Sequence, residues 1–91
     1  MANESRKKAL VDKIASLDKD IIDLVNNINK KTAEINKLLA ESNKSSTTDS
    51  RRKSIITRMS TLEKERITLG GRHDTKAKER NKAVDELNRL A

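Results

Sequence analysis

The apolar residues in the first half of the chain recur at alternating steps of four and three residues. This spacing aligns them along one side of an α-helix, as in the seam between two paired helices. Only Lys31 interrupts the series. The pattern predicts a helix over about residues 4–43, with a seam formed by Leu10, Ile14, Leu17, Ile21, Leu24, Ile28, Ile35 and Leu38.

The stretch that follows contains no apolar side chain. Residues 41–50 read ESNKSSTTDS, and short polar side chains of this kind compete with the helical backbone for hydrogen bonds. We therefore expect a polar turn over about residues 43–49, with Thr48 or Asp49 capping the next helix. The heptad spacing then resumes, which predicts a second helix over about residues 50–90 with the seam residues Ile55, Met59, Leu62, Leu69, Ala83, Leu87 and Leu90.

Two long helices joined by a short polar link form an antiparallel hairpin. We expect residues 1–91 to be a single all-α, coiled-coil-like domain. Folding about the middle of the turn places Arg6 beside Glu86, and Arg51 beside Glu41 and the carbonyl end of the first helix. The basic first turns of both helices then meet acidic partners and a favourable helix end, so they do not require a nucleic acid.

The two halves of the chain resemble each other. Residues 5–20, SRKKALVDKIASLDKD, align with residues 50–65 at an offset of 45 positions, and Leu10 corresponds to Ile55. Most other aligned pairs are identical or conservative. The sequence therefore indicates an internal repeat in which each copy is one helix.

Both glycines, Gly70 and Gly71, lie within the second predicted helix. The register puts them opposite Ile21, Ile22 and Leu24, where missing side chains would let the two helices approach closely. The alternative is a kink or hinge that bends the second helix at this point. Either arrangement costs roughly 2 kcal/mol of helix propensity.

Each helix also carries a second, weaker apolar stripe beside its seam. A hairpin seam uses one stripe per helix, so the second stripe is free to contact another helical layer. Two-helix hairpins without disulfides or aromatic anchors are also marginally stable. The alternative is a hairpin whose second stripe is half exposed. We expect association with a helical protein partner or a second copy, completing a four-helix bundle, through Val11, Ile22, Val25, Leu39, Ile56, Ile67 and Val84.

Part of the second seam is polar, and Asn and Asp side chains around residues 20–29 face it. Buried polar seam positions set register and partner choice at a cost in stability. Alternatively, the helix turns and leaves these side chains in solvent. The polar seam residues are Arg66, His73, Lys76 and Arg80.

The chemistry that the chain lacks narrows its function. It has no aromatic residue, cysteine or proline, and 38% of its residues are charged. His73 is the single histidine and has no further ligands at the helical spacing that a metal site needs. An elongated hairpin also offers no obvious concave pocket. We expect a protein that is not an enzyme, without catalytic, cofactor-binding or metal-binding residues.

A formal net charge of +7 favours an acidic partner. Phosphate contacts need only Lys and Arg, but the chain has no aromatic platform on which single-stranded bases could stack. A nucleic-acid-binding hairpin is therefore an alternative function, and a structural subunit of a filament or phage particle is another. The candidate phosphate or acidic-partner contacts are Arg72, Lys76, Lys78, Arg80 and Lys82.

No segment is long and apolar enough to span a bilayer. The N-terminal stretch MANESRKKAL also lacks the apolar run of a signal peptide. We expect a cytoplasmic protein, with export without a cleavable signal peptide as the alternative.

In size, helical character and the position of its polar turn, the whole chain resembles the small helical-hairpin partner proteins of type VII secretion. These include the Trp-X-Gly family and the small helical proteins that accompany LXG toxins. The Trp-X-Gly turn is absent, since residues 42–50 read SNKSSTTDS, and no functional residue carries over. The resemblance implies pairing with itself or with a cognate helical cargo, and a targeting or chaperone-like role in export.

Overall fold

Two antiparallel helices make up the structure, a computed structural model that describes residues 2–91. Helix α1 spans Ala2–Ser42 and helix α2 spans Asp49–Leu90. The hairpin is a rod of 69 × 14 × 13 Å. The described part of the chain contains no strand, and the two helices pack against each other along their length. The predicted all-α hairpin is therefore confirmed.

The polar turn provides the hydrogen bonds that end one helix and begin the next. Thr48 has an extended backbone, with φ −71° and ψ 158°, and its hydroxyl accepts a bond from the Arg51 backbone N–H at 3.1 Å. Thr48, rather than Asp49, is thus the N-cap of α2. The Arg52 guanidinium donates to the carbonyls of Ser42 and Lys44 at 3.1 and 3.0 Å. The guanidinium thus satisfies backbone carbonyls at the C-terminal end of α1, as we expected of the basic residues in the first turn of α2.

Guanidinium–carboxylate pairs fix the register of the hairpin. At the open end, Arg6 pairs with Glu86. Beside the turn, Arg51 pairs with Glu41. Both contacts are those predicted from folding the chain about its polar turn. Exposed pairs of this kind add little to stability, but their geometry favours one alignment of the helices over shifted ones.

The core of the hairpin is small and divided. Five of the side chains that the structure describes are buried. The open end contains one group, Leu10, Leu17 and Ala83, and the turn end contains the other, Ile55 and Leu62. The remaining apolar seam residues are half-buried: Ile14, Ile21, Leu24, Ile28, Ile35, Leu38, Met59, Leu69, Leu87 and Leu90.

The middle of the rod separates the two buried groups because its seam is polar. Arg66, His73, Lys76 and Arg80 are half-buried, so they are neither enclosed in the core nor fully in solvent. Long side chains of this kind cover apolar surface with their stems and keep the charged group in water. The sequence left two alternatives open, a buried polar seam and a helix that turns these side chains into solvent. The structure is intermediate between them.

Adjacent isoleucines allow a direct test of this division. Ile55 is fully buried and Ile56 is 64% exposed. Ile55→Ala should lower the free energy of unfolding by about 2–5 kcal/mol, because it leaves a cavity in the core. The matched Ile56→Ala change should cost less than about 1 kcal/mol in the same urea titration followed by circular dichroism. Equal losses for the two variants would contradict the observed seam.

Candidate helix-association surface

The hairpin has two unlike edges, which lie on either side of the seam. A helix turns about 100° per residue, so the residue before a seam position and the residue after it point to opposite edges. Residues that precede seam positions form the charged flank. Arg6–Glu86, Glu34–Arg58 and Glu41–Arg51 cross between the helices there, with Nε–Oε2 at 2.9 Å for Glu34–Arg58.

Apolar residues form the other edge, which we call the apolar flank. Its members directly follow a buried or half-buried seam residue, as Val11 follows Leu10 and Ile56 follows Ile55. Ile22 lies three residues before Val25 and therefore shares its side of the helix. The apolar flank comprises Val11, Ile22, Val25 and Leu39 of α1, and Ile56, Ile67 and Val84 of α2.

Most of this flank is exposed. Six of the seven residues predicted to face a partner are exposed, and Val84 is half-buried. The three isoleucines leave more than half of their surface in solvent, with 59% for Ile22, 64% for Ile56 and 68% for Ile67. The two-helix seam therefore uses the first apolar stripe and leaves the second one largely uncovered.

The charged groups beside the apolar flank are neutralised by neighbours. Arg66 donates to both carboxylate oxygens of Glu63, at 2.7 and 2.9 Å, and to the Thr32 hydroxyl at 3.2 Å. Arg80 pairs with Asp18 of α1. These arginines occupy seam positions in α2, and their side chains turn towards the residues that follow the seam of α1. The apolar flank thus combines exposed aliphatic groups with paired charges.

Basic side chains outside these pairs lie mainly on the charged flank and on the back of each helix. Three lysines lie three residues after a position on the charged flank: Lys30, Lys37 and Lys82. Two more lie immediately before such a position: Lys64 and Lys78. None of these five is in an ion pair within residues 2–91. The positive charge of the chain is therefore concentrated away from the apolar flank.

The predicted phosphate contacts do not form one surface. Lys76 and Arg80 are engaged with Asp20 and Asp18 of α1, with 3.5 Å between Lys76 and Asp20. Lys78 lies two residues beyond Lys76, which turns it by about 200° around the helix. Helical spacing therefore distributes the five candidate contacts, Arg72 to Lys82, around α2.

A shallow groove of about 590 Å³ lies on the charged flank near the middle of the rod. We expected an elongated hairpin to offer no obvious concave pocket, so this groove was not predicted. It forms where Gly71 contributes no side chain and the seam lacks a buried residue. Acidic side chains on the α1 wall face basic side chains on the α2 wall. The groove is lined by Asp20, Asp23, Leu24, Asn27, Thr68, Gly71, Arg72, Thr75 and Lys76.

Neither glycine serves close packing between the helices. A Cβ added at Gly70 or Gly71 would have no heavy atom within 4 Å outside its own turn. Helix α2 continues through both residues, and neither has a positive φ. The 14 × 13 Å cross-section of the rod also leaves no room for a sharp kink. The expected close approach is wrong, and the glycines instead leave open space on the surface of a continuous helix.

Ion pairing shifts the pKa of three exposed glutamates. A hydrogen bond from Arg51 lowers the pKa of Glu41 below its ordinary value of 4.5, and a hydrogen bond from Lys31 does the same for Glu65. Arg6 lowers the pKa of Glu86 in the same way. These carboxylates therefore bind fewer protons in the folded hairpin than in the unfolded chain.

His73 is half-buried at its seam position. Its Nδ1 is 3.5 Å from a carboxylate oxygen of the adjacent Asp74. Residues 2–91 contain no group of three or more His, Cys, Asp or Glu side chains that could hold a metal ion. Neither α1 nor α2 contains a stretch apolar and long enough to cross a membrane.

Comparisons of the chain with protein-family models, with curated proteins and with solved structures give no match.

The open space at Gly71 predicts a stabilising substitution. Gly71→Ala should raise the free energy of unfolding by up to about 1 kcal/mol, because alanine has the higher helix propensity and its methyl group meets no neighbour. Urea denaturation followed by circular dichroism measures the gain. A loss of stability would show that α2 needs a glycine at this position.

The lowered glutamate pKa values predict an acid-sensitive hairpin. The stabilisation from these carboxylates is fully present above the ordinary glutamate pKa of 4.5 and is lost as the pH falls through their lower folded-state values. Glu86→Gln should flatten the decline in urea midpoint below this pH. Glu79→Gln, which removes a glutamate outside any ion pair within residues 2–91, is the control. An unchanged decline in the Glu86→Gln protein would contradict the assignment.

Proposed function

We propose that this protein is a non-enzymatic helical adaptor that acts by helix–helix association through its apolar flank. The observation that carries the proposal is the exposure of Val11, Ile22, Val25, Leu39, Ile56 and Ile67 on one edge of the hairpin. Single exposed apolar residues are common on protein surfaces, but several exposed apolar residues gathered along one edge indicate an interaction site.

The energetics of the hairpin support a binding partner. Without aromatic residues or disulfides, the two helices hold a limited core, since only five of the side chains that the structure describes are buried. Small scaffolds of this kind gain stability by oligomerising or by joining other helices. A second helical layer on the apolar flank would extend the core, since the flank lies directly beside the seam and would complete a four-helix bundle.

Charge placement also supports association by packing. The acidic groups Asp18 and Glu63 beside the apolar flank are paired with Arg80 and Arg66. A partner helix that covers this edge therefore leaves these two carboxylates paired, which lowers the cost of closing a polar surface.

The biological setting that we propose is the targeting of a helical cargo, with a chaperone-like role. The support is the resemblance in size and topology to the small hairpin partners of type VII secretion. Because the chain lacks their turn motif and aromatic export signals, the apolar flank carries the association in this proposal.

Charging the centre of the apolar flank tests the proposal. In Ile22→Glu/Ile67→Glu, both substitutions fall on exposed positions, so helicity should survive while oligomer or complex formation is abolished. The matched control is Ala33→Glu/Thr57→Glu, which adds the same charge at exposed positions outside the flank. Circular dichroism and pull-down from the native extract measure the two properties. Global unfolding of the first variant would assign Ile22 and Ile67 to the hairpin core and contradict the proposal.

The same pull-down distinguishes the alternative of nucleic-acid binding. Nucleic acid held by lysine and arginine contacts should be lost steeply as salt rises, because binding releases counterions. A helical protein held by the apolar flank should remain at moderate salt. Recovery of nucleic acid at low salt alone, equally by both charged variants and without a protein companion, would favour the basic side chains instead.

A further inference from the structure

We infer that the occupant of the apolar flank is a second copy of this chain, packed flank to flank in a two-fold symmetric dimer. The inference rests on the proposed function and deepens it by naming the partner. It is carried by the order of groups along the flank, by their relation to the internal repeat, and by the charges beside them.

The cross-helix ion pairs place each apolar group along the rod. Val84 lies between Glu86, which meets Arg6, and Arg80, which meets Asp18, so it is level with Val11. At the other end, Ile56 lies between Arg51 and Arg58, whose partners are Glu41 and Glu34. Ile56 is therefore level with the stretch of α1 that contains Leu39. The two ends of the flank thus each carry one apolar pair.

The middle of the flank carries the third apolar group. Ile67 lies between Glu65, which pairs with Lys31, and Lys76, which pairs with Asp20. It is therefore level with about residue 29 of α1, within about two helical turns of Ile22 and Val25. We call Ile22, Val25 and Ile67 the central cluster.

One arginine–carboxylate pair lies on each side of the central cluster. Asp18–Arg80 separates it from the open-end apolar pair, and Glu63–Arg66 separates it from the apolar pair near the turn. The order from one end of the rod to the other is apolar, charge pair, apolar cluster, charge pair, apolar. It is the same when read from either end.

The internal repeat accounts for this symmetry. At an offset of 45 positions, the first repeat supplies Val11, Asp18 and Ile22, and the second repeat supplies their counterparts Ile56, Glu63 and Ile67. Antiparallel pairing of two similar helices gives the hairpin an approximate two-fold axis through its flank. A surface with this symmetry is preadapted to an isologous contact, in which the same patch serves on both subunits.

Charge complementarity favours a second copy of this chain over a partner whose charged residues all have the same sign. Whichever direction the second copy takes, an arginine–carboxylate pair of one subunit lies against a pair of the other. Each guanidinium then gains a second carboxylate, and each carboxylate a second donor. Five unpaired lysines lie away from the contact: Lys30, Lys37, Lys64, Lys78 and Lys82. Lys8 and Lys53, three residues before Val11 and Ile56, lie at the two ends of the flank.

Gly70 fits the same arrangement. It directly follows the seam residue Leu69 and lies three residues beyond Ile67, on the apolar flank beside the central cluster. Open space surrounds the position of its missing Cβ. This leaves a recess where a side chain from the central cluster of a second copy can enter.

The dimensions of the rod set the scale of the contact. A second copy that lies along the whole 69 × 14 Å face covers a projected area on the order of 900 Å² per subunit, and a standard stable interface buries ~800 Å² of accessible surface per partner. Dimerisation would join two divided cores into one four-helix core, since the flanks adjoin the seams.

Sedimentation equilibrium of the purified full-length chain tests the inference. We expect twice the chain mass of 10.3 kDa at micromolar concentration. The dimer should persist as salt is raised, because the contact is apolar and its charges are paired. Ile22→Glu/Ile67→Glu should be monomeric and Ala33→Glu/Thr57→Glu dimeric. A wild-type chain that stays monomeric throughout the micromolar range, or a dimer unaffected by the first variant, would overturn the inference.

A crosslinking experiment gives an answer even where the charged variant fails to fold. The chain has no cysteine, so single-cysteine variants are unambiguous. Val25→Cys in the central cluster should be joined into dimers by a short bis-maleimide, whereas Ala33→Cys should remain largely uncrosslinked. The reverse pattern, or equal crosslinking at both positions, would show that the copies do not meet through this flank.

The outcomes separate this inference from the proposed function. A purified chain that is monomeric, but that captures a different helical protein only when Ile22 and Ile67 are intact, would refute the second copy and leave the adaptor role standing. A chain that neither dimerises nor loses any complex on the double substitution would refute both.

Discussion

The antiparallel register of the two helices is the constraint on which the other features of the molecule depend. Guanidinium–carboxylate pairs at both ends, Arg6 with Glu86 and Arg51 with Glu41, hold this register. The register decides which residues enter the seam and which residues are left beside it. A shift of one helical position would move Leu62 out of the core and bring a polar neighbour in. The register that the charged flank holds therefore decides which apolar residues are left on the opposite edge.

The same register explains why the hairpin is incomplete as a packed unit. Leu10, Leu17 and Ala83 close one end, and Ile55 and Leu62 close the other. Between them, polar seam residues keep the centre half-open, and exposed Ile22 and Ile67 lie at the edge of that same region. The part of the rod with the least internal packing is thus the part with the most apolar surface left for another helix. The stability of the hairpin and its proposed association therefore depend on neighbouring residues of the same two helices.

Much of this arrangement was predictable because helical periodicity is a local property. The four-three spacing gave the two helices, and charge matching about the turn placed Arg6 and Arg51 beside their partners. The exposed positions of Val11, Ile22, Val25, Leu39, Ile56 and Ile67 follow from the same periodicity. Val84 departs from this pattern, since it is half-buried.

Side-chain direction and space were not predictable in the same way. The sequence cannot show that Arg66 and Arg80 turn from the seam to carboxylates beside the apolar flank, because several rotamers of arginine satisfy the same spacing. It also cannot show that Gly70 and Gly71 face open space, since this depends on the distance between the helices. The groove beside Gly71 was missed for the same reason. These features depend on how two surfaces meet and not on the pattern within either one.

Small-angle X-ray scattering of the purified chain tests the central claim of flank-to-flank association most directly. The account predicts a particle of twice the chain mass whose length stays close to the 69 Å of one hairpin, with a thicker cross-section. A particle with the mass and the 14 × 13 Å cross-section of a single hairpin would contradict it. A doubled mass with a doubled length would do the same, because the copies would then meet at their ends.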